Sequence, residues 1–394
     1  MIIIGSMKKI ISLLLVLLSL SAFSQEIELS NRAEIGIITC GPGTNELFTA
    51  FGHSAIRVKD PLQGIDIIYN YGTFDFNQPN FYGNFAKGNT LYFLGTSDTG
   101  RFIRAYNYEK RWIKEQVLDL QPEDVQKVFD FLQNNALPKN RDYLYNYFFD
   151  NCSTRLYDLV NEILGQKLAP ISPFLSDPLS HRELMQLYLS NQPWGDFGID
   201  LGLGSPIDRK ATSKEYLFLP ENIFIYFDNL KIEENGITRP IVKQTKVILP
   251  ESKIIPKRPF FTPLLFFSVV GLLIILLTLK NINNRKRSKW LDFTLFFTTG
   301  IVGLILLMIW LFTNHISAKN NFNVLWAFAP NLFVSFFLLK TTFPKWIKKY
   351  NFLLLILLIL VIVLWLLKVQ VYSIAVLPIL LFLGFRYYYL CFKA

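Results

Sequence analysis

The sequence predicts an exported α+β domain followed by an all-α bundle of about five transmembrane helices. Residues 251–394 carry 16 Lys and Arg but only two acidic residues, a balance of +14. Since the whole chain has a net charge of +10, the first 250 residues carry −4. The basic residues of the second half interrupt apolar stretches long enough to cross a bilayer. This pattern excludes a soluble nucleic-acid-binding protein and predicts a membrane protein.

Residues 1–24 have the features of a signal peptide. Two lysines follow Met7, residues 10–20 are almost all apolar, and the small residues Ala22 and Ser24 stand just before Gln25. This order is typical of secretory signals. We expect cleavage before Gln25, with an uncleaved anchor as the alternative.

Five later stretches predict membrane spans: 261–279, 291–313, 324–340, 352–367 and 371–388. Loop 280–290 holds five basic residues and loop 340–350 holds four, whereas the two alternate loops hold one Lys each. The positive-inside rule places the two basic loops in the cytoplasm. Residues 25–259 then lie outside, as the signal also indicates. We therefore expect a multi-pass protein of the inner (cytoplasmic) membrane, with a periplasmic domain over 25–259 and a membrane domain over 260–394.

The exported half predicts a mixture of strands and helices. Segments rich in β-branched residues predict three strands, over 33–41, 53–58 and 66–71. The Pro and Gly between the last two strands predict a hairpin. Apolar residues at helical spacing predict two helices, over 122–136 and from Asn151 to Gly165, and the Gly-rich and Pro-rich stretch 193–220 predicts an ordered loop.

Cys152 and His53 are the candidate reactive pair. Cys152 stands at a predicted helix start, where unpaired N–H groups and the helix dipole stabilise a thiolate. His53 opens a strand, which can aim its side chain rigidly. A cysteine at a helix start facing a histidine on a sheet is the arrangement of thiol acyl-transfer enzymes. From the residues alone, two alternatives stay open: the pair is unrelated, or Cys152 forms a disulfide with Cys40. Otherwise Cys40 is expected to be a small buried side chain, and His181 a surface residue at a helix start.

Several separate motifs, in order along the chain, resemble one known family. They are Thr39–Gly43, Phe51–Val58, Tyr69–Phe76, Asp150–Arg155, Pro193–Leu201, Glu215–Pro220, and His315 with Asn321–Trp326. These motifs resemble the Lnb-type lipoprotein N-acyltransferases over nearly the whole mature chain. The order of histidine then cysteine is also similar to that of circularly permuted NlpC-type papain-like folds, including the lecithin:retinol acyltransferases.

The resemblance implies a reaction and a third catalytic residue. A fatty acyl chain would move from a membrane phospholipid, through a Cys152 thioester, to the α-amine of a diacylated lipoprotein. In the papain-like superfamily a polar residue orients the histidine. A hairpin that turns near residue 62 places position 53 opposite 70–71, so we expect Asn70 in that role and Asp75 as the second choice.

We also expect a set of substrate-binding residues. Arg57 and Arg155 are candidates for the lipid phosphate, and the outward loop before the third span is a candidate for gripping the lipid head group or lipoprotein. Its plain alternative is an interface anchor. The full set is Arg57, Tyr71, Asp75, Asn151, Arg155, His315, Asn321, Asn323 and Trp326.

Other chemistry is not indicated. The three histidines stand in separate contexts without metal-ligand spacing, and no Gly-rich phosphate loop follows a strand, so we expect neither metal nor cofactor. Two other functions stay open: an NlpC-type cysteine peptidase or amidase acting on the cell wall, and a non-enzymatic exported binding module.

Overall fold

A computed structural model describes residues 27–44, 46–169, 178–251 and 259–394. The predicted signal peptide lies outside the described residues. The domain before the membrane helices contains a seven-stranded antiparallel sheet, in the order β6-β4-β3-β2-β1-β5-β9. Its strands are β1 Glu34–Cys40, β2 His53–Asp60, β3 Ile65–Thr73, β4 Leu91–Asp98, β5 Ile113–Leu118, β6 Asp142–Leu144 and β9 Val242–Leu249. A separate hairpin pairs β7 Lys231–Glu234 with β8 Ile237–Pro240.

Seven α-helices accompany these strands in the described part of the domain. They are α1 Phe81–Lys87, α2 Thr99–Tyr108, α3 Pro122–Ala136, α4 Cys152–Leu164, α5 His181–Gln186, α6 Pro193–Gly202 and α7 Pro220–Asn229. The three predicted strands, the hairpin and the predicted helices α3 and α4 are confirmed, with ends within two residues of those expected. The α+β class is therefore confirmed, whereas the permuted papain-like topology stays a prediction.

Helices cover both faces of the central strands. Successive side chains of a strand point to opposite faces, so Ile37 packs in one cluster with α3, α4 and α7, while Ile38 packs in another with Phe102 of α2. Both isoleucines are almost fully buried. This two-sided burial holds β1 and β2 rigidly, and β2 lies directly beside the helix that begins at Cys152.

The prediction of a loop over 193–220 is wrong for its first half. Residues Pro193–Gly202 form α6, which starts with proline in its first turn, a position that proline favours. Phe197 and Leu201 of this helix pack into the core of the membrane helices. That contact outweighs the low helix propensity of the glycines, which is a weak local preference.

Three described helices after residue 259 are long and apolar enough to cross a membrane: α8 Pro263–Asn283, α9 Lys289–Phe312 and α11 Trp346–Leu366. Two shorter helices accompany them, α10 Asn331–Leu338 and α12 Val376–Phe392. The predicted third span is therefore helical over eight residues only, since a short 3-10 turn and Pro330 precede α10. The count of five spans stays a prediction.

Candidate active site

His53 is held at the first position of β2. Its Cα pairs with that of Cys40 on β1. Gly52, immediately before it, has a φ of +82°, and a Cβ there would lie 2.7 Å from the Cys40 carbonyl oxygen. Only glycine fits such a left-handed position against another backbone. The turn into β2 therefore fixes the backbone position from which the His53 side chain extends.

Asn70 holds the far side of the imidazole ring. Nε2 of His53 donates to Oδ1 of Asn70 over 2.5 Å. The pairing of β3 with β4 shifts between Asn70 and Thr73, which marks a local irregularity in β3. Because Asn70 engages Nε2, Nδ1 is the nitrogen left to face Cys152. The structure thus brings together the three residues that the sequence nominated.

Cys152 is the first residue of α4, and its neighbours fix that helix start. The Asn151 side chain accepts hydrogen bonds from the backbone N–H groups of Ser153 and Thr154, each at 2.9 Å, and the Thr154 hydroxyl accepts from the N–H of Asn151. This reciprocal arrangement is a capping box. The Asn151 amide also donates to the carbonyl of Phe218 at 2.7 Å. Asn151 is therefore an anchor of the helix start.

Charge interactions activate the buried pair. Burial disfavours a charged sulfur, but the charge of His53 and its hydrogen bond, helped by the backbone N–H of Ser54, hold the pKa of Cys152 below its ordinary value. Burial likewise disfavours the imidazolium, yet the Cys152 thiolate and the hydrogen bond to Asn70 raise the pKa of His53. Each group stabilises the charged form of the other. Both shifts favour a thiolate beside an imidazolium.

Cys40 lies close to this pair but is not bonded to it. Cys40, Cys152 and Cys391 are free cysteines. Burial strongly raises the pKa of the Cys40 thiol, which keeps it neutral. The structure therefore matches the expectation of a small buried side chain and not the alternative of a disulfide.

The predicted lipid-phosphate ligands are already paired within the protein. Arg57 forms ion pairs with Asp66 at 2.7 Å and with Glu115 at 3.1 Å. Arg155 pairs with Asp150 and lies over the Tyr143 ring, 4.1 Å from its centroid. The Arg57 side chain is 12% exposed and the Arg155 side chain 29%, and a phosphate would have to compete with these carboxylates.

The two predicted substrate residues on and after β3 differ in their surroundings. Tyr71 is buried, and its hydroxyl donates to Asn135 at 2.7 Å. Asp75 is exposed, and its side chain accepts a hydrogen bond from the backbone N–H of Asn77 at 2.8 Å. Asn70 is thus the residue that contacts the imidazole.

The predicted outward-loop residues connect the two halves of the chain. Asn321 donates to the carbonyl of Leu201 at 2.8 Å, and Asn323 donates to that of Asp200 at 3.1 Å. Trp326 is buried and donates to Asn323. These three residues join the membrane domain to α6. Their surroundings are those of structural contacts, and a substrate role for them stays a prediction.

His315 makes a second contact between the halves. Its Nε2 lies 2.9 Å from the carbonyl oxygen of Phe85 on α1. Asn314 adds a backbone hydrogen bond to Lys87 at 2.8 Å. The domain before the membrane helices is therefore fastened to the segment between α9 and α10 through α1 as well as through α6.

His181 was expected at the surface, and this expectation is wrong. It does begin α5, but it is 1% exposed and lies among Phe148, Phe149 and Phe218. Burial lowers its pKa to about 4. A histidine beside Arg182-Glu183 has the local sequence of a surface helix start, and only the tertiary packing places it in an aromatic box.

Sequence reasoning also missed three neighbours of the nucleophile. Ser54 supplies a backbone N–H toward the sulfur, and its hydroxyl lies 3.1 Å from that of Ser153. Gly72 has a φ of +85°, and a Cβ there would lie 3.7 Å from that of Cys152. The glycine of Tyr71-Gly72-Thr73 could have indicated this neighbour from the sequence, because a glycine inside a strand often marks the close approach of another part of the chain.

The exported domain carries a thiol, an imidazole and an amide in one site, and it is hydrogen-bonded to the apolar helices. These two features define a membrane-anchored protein whose site has the residues of a thiol enzyme. No group of three or more possible metal ligands occurs within the described ranges. Two family models match the chain: the Lnb N-terminal periplasmic domain over 29–186 and the Lnb transmembrane domain over 255–394. The chain belongs to the Lnb family and is a membrane-associated, lipoprotein-modifying protein with a periplasmic domain. No curated protein and no solved structure matches it.

Proposed function

We propose that this protein is a lipoprotein N-acyltransferase that moves a fatty acyl chain from a membrane phospholipid to the α-amine of a diacylated lipoprotein. The observation that carries the proposal is the Cys152–His53–Asn70 arrangement at the start of α4. The family matches support a lipoprotein as the acceptor, since Lnb proteins act on lipoproteins.

The first half-reaction acylates the enzyme. The Cys152 thiolate attacks an ester carbonyl of the phospholipid, and a C–S bond forms as the carbonyl electrons move onto oxygen. When the intermediate collapses, the C–O ester bond breaks and His53 gives its proton to the leaving alkoxide. The products are a lysophospholipid and an acyl thioester on Cys152.

The second half-reaction transfers the acyl chain to nitrogen. The uncharged α-amine of the lipoprotein attacks the thioester carbonyl, and neutral His53 takes the proton that the amine loses. The C–S bond breaks, which restores the thiolate beside the imidazolium. An amide is more stable than a thioester, so this step drives the overall transfer.

The tetrahedral intermediates require donors for their oxyanion. The backbone N–H of Cys152 at the start of α4 is one candidate, because the first N–H groups of a helix have no partner within the helix. The Tyr147 hydroxyl is a second candidate. Among the described residues this buried hydroxyl has no hydrogen-bond partner, and burial followed by the nearby Cys152 charge raises the pKa of Tyr147.

We further propose that the membrane domain crosses the inner membrane five times. Hydrogen bonds at the two ends of the helix bundle favour this arrangement. At one end Arg287 donates to the carbonyls of Leu338 and Lys340. At the other end the Gln370 side chain accepts from the N–H of Phe322. The first contacts join two basic loops, and the other joins two outward segments. The interrupted segment 322–340 would then pass from one end to the other.

This arrangement would place catalyst and substrates at one surface. Both the phospholipid and the diacylated acceptor are anchored in the bilayer. Because the exported domain is fastened to the membrane helices through α1 and α6, the nucleophile stays near that surface. Tethering raises the local concentration of substrate without any added contact.

The test compares the purified wild type with Cys152→Ser and with the matched control Cys391→Ser. Each protein receives a phospholipid and a diacylated lipopeptide with a free α-amine, and mass spectrometry follows both and the Cys152 peptide. We expect wild type and Cys391→Ser to add one acyl chain to the lipopeptide and to release lysophospholipid, while Cys152→Ser does neither.

Other results would refute the proposal. Amide cleavage of cell-wall peptides without lysophospholipid would support the peptidase alternative. Undiminished lipoprotein modification in Cys152→Ser would show that Cys152 takes no part in the reaction. Lipopeptide binding without any modification, unchanged in Cys152→Ser, would support the binding module.

A further inference from the structure

A band of aromatic side chains lies beside the candidate active site. This aromatic ridge consists of Phe48, Phe74, Phe76, Phe81, Phe85 and Tyr92. Ring centroids of neighbouring members lie 4.9 to 6.2 Å apart. Three of these phenylalanines are 55% to 60% exposed. From position 74 to 86 the only charged residue is Asp75. Contiguous exposed apolar surface of this kind marks an interaction site.

One end of the ridge reaches the nucleophile. The Tyr92 ring stacks on that of Tyr145, with centroids 4.2 Å apart. Tyr145 adjoins Gly72, where a Cβ would lie 3.5 Å from the tyrosine ring and 3.7 Å from the Cβ of Cys152. The ridge therefore continues through Tyr145 to the reactive cysteine.

The other end of the ridge reaches the membrane helices at two places. The carbonyl of Phe85 contacts His315, three residues after the end of α9. On the other side, Leu47, next to Phe48, packs on Gly195 of α6, and Trp194 donates to the carbonyl of Phe261 at 3.0 Å, just before α8. Both contacts lie at the outward ends of membrane helices. The ridge thus links the membrane boundary to Cys152.

We propose that the aromatic ridge binds an acyl chain of the donor phospholipid and leads it from the bilayer to Cys152. The inference rests on the proposed function and adds the route by which the donor arrives. The phenylalanine rings offer no hydrogen bonds, so they suit a hydrocarbon chain better than a peptide. An acyl chain lying along the ridge would shield the exposed rings from water as its ester reaches the sulfur.

The first test measures lipid contact without turnover. Full-length Cys152→Ser in detergent receives a phosphatidylethanolamine with a photoactivatable diazirine in one acyl chain. We expect cross-links on the peptide covering Phe74–Phe85 in addition to the membrane helices, and none around Tyr108, an 89% exposed aromatic outside the ridge. Cross-links confined to the membrane helices would overturn the inference, whether or not the protein is an acyltransferase.

The second test measures the use of the ridge in the reaction. In Phe76→Asp and Phe85→Asp we expect the rate of lysophospholipid release to fall roughly tenfold or more, because the apolar contact between the ring and the acyl chain is lost. Phe85→Leu should retain most of the rate, and the matched control Tyr108→Asp should equal wild type. The rate at which iodoacetamide alkylates Cys152 should stay unchanged in all four, which shows an intact site.

The outcomes separate this inference from the proposed function. Wild-type activity with equal rates in the Asp variants would overturn the ridge and leave the acyltransferase standing. No lysophospholipid from wild type, with cross-links on the ridge, would refute the acyltransferase and leave a lipid-binding surface. Concentration-dependent dimerisation that Phe76→Asp abolishes, without cross-links, would assign the ridge to a second copy of the chain and overturn the inference.

Discussion

Nε2 of His53 lies 2.5 Å from Oδ1 of Asn70, on the side of the ring away from Cys152. In the neutral ring the bond keeps the proton on Nε2, because an amide oxygen accepts only from a protonated nitrogen. It also orients Nδ1 toward the sulfur. Asn70 is therefore a positioning residue for the pair, and its effect on the reaction passes through His53.

Removal of the Asn70 amide should slow the chemistry more than it weakens substrate binding. We expect Asn70→Ala to lower kcat by about 10- to 100-fold with little change in KM, because a loosely held imidazole transfers protons poorly. Asn70→Asp should retain more activity, since a carboxylate oxygen can accept the same bond. Steady-state kinetics with phospholipid and lipopeptide would measure this. A rise in KM alone would assign Asn70 to substrate binding instead.

The pH dependence of Cys152 alkylation should reveal the ion pair. Burial raises the pKa of Cys152, but the charge of His53 and the hydrogen bonds from His53, Ser54 and Ser153 together hold it below its ordinary value. Iodoacetamide reacts with the thiolate, so the alkylation rate rises as the pH passes this pKa. In His53→Ala burial remains without the compensating charge, and we expect the midpoint to move to higher pH. The alkylation rate is measured by mass spectrometry on the peptide that contains Cys152, so alkylation of Cys40 and Cys391 does not contribute to it. Identical midpoints would show that the two side chains are not coupled.

Local patterns were sufficient for the parts of the site that lie on regular elements. The hairpin turn near residue 62 nominated Asn70 correctly, although the expected register is not the observed one: Ile56 pairs with Tyr69, which continues to position 72 opposite 53. The helix start at Cys152 was readable from Asn151 and the apolar spacing after it. His181 and α6 could not be predicted this way. His181 is buried by phenylalanines distant in sequence, and α6 is stabilised by contacts with helices some seventy residues later. Such packing leaves no local periodicity, so propensity alone predicted a surface residue and a loop.

Tyr147 should contribute to the chemical step and not to thiolate formation. Its buried hydroxyl has no hydrogen-bond partner in the described part of the chain, so it can donate to an oxyanion without first breaking a bond. We expect Tyr147→Phe to lower kcat by roughly 10- to 100-fold and to leave the alkylation rate of Cys152 unchanged. Phe51, whose ring lies 5.3 Å from that of Tyr147, offers a packing control in Phe51→Leu. Full activity in Tyr147→Phe would exclude the hydroxyl as a donor.

Stability below neutral pH should depend on His181. Burial lowers its folded-state pKa to about 4, below an ordinary value near 6.5. The unfolded chain therefore binds the proton first, and His181 contributes stability above pH 6.5 that is lost as the pH falls toward 4. Between pH 6.5 and 4.5 we expect the Tm of His181→Phe to decline less than that of wild type. Between pH 7 and 8 the difference between the two proteins should stay constant. Parallel curves throughout would show that His181 is not buried in the neutral form.

The membrane domain should depend on a buried cluster in which Asp292 of α9 pairs with two arginines, Arg386 at 2.6 Å and Arg287 at 2.8 Å. Arg386 of α12 donates to Asp292 of α9 at 2.6 Å and to Thr278 of α8 at 3.0 Å, and both charged residues are fully buried. Loss of one partner leaves an uncompensated charge, which costs about 3 to 5 kcal/mol in buried pairs, whereas removal of both partners is far less damaging.

Asp292→Asn should therefore lower the Tm in detergent by several degrees or more. Asp292→Leu combined with Arg386→Leu should recover only part of that loss, because Arg287 still loses its carboxylate partner. Glu251, the other acidic residue of the second half, is exposed, so Glu251→Gln is the matched control and should leave the Tm unchanged. A double variant less stable than Asp292→Asn would show that the arginine is stabilised mainly by Thr278 and its other neighbours. In that case the three helices would be held together by the hydrogen bonds of Arg386 and not by its charge.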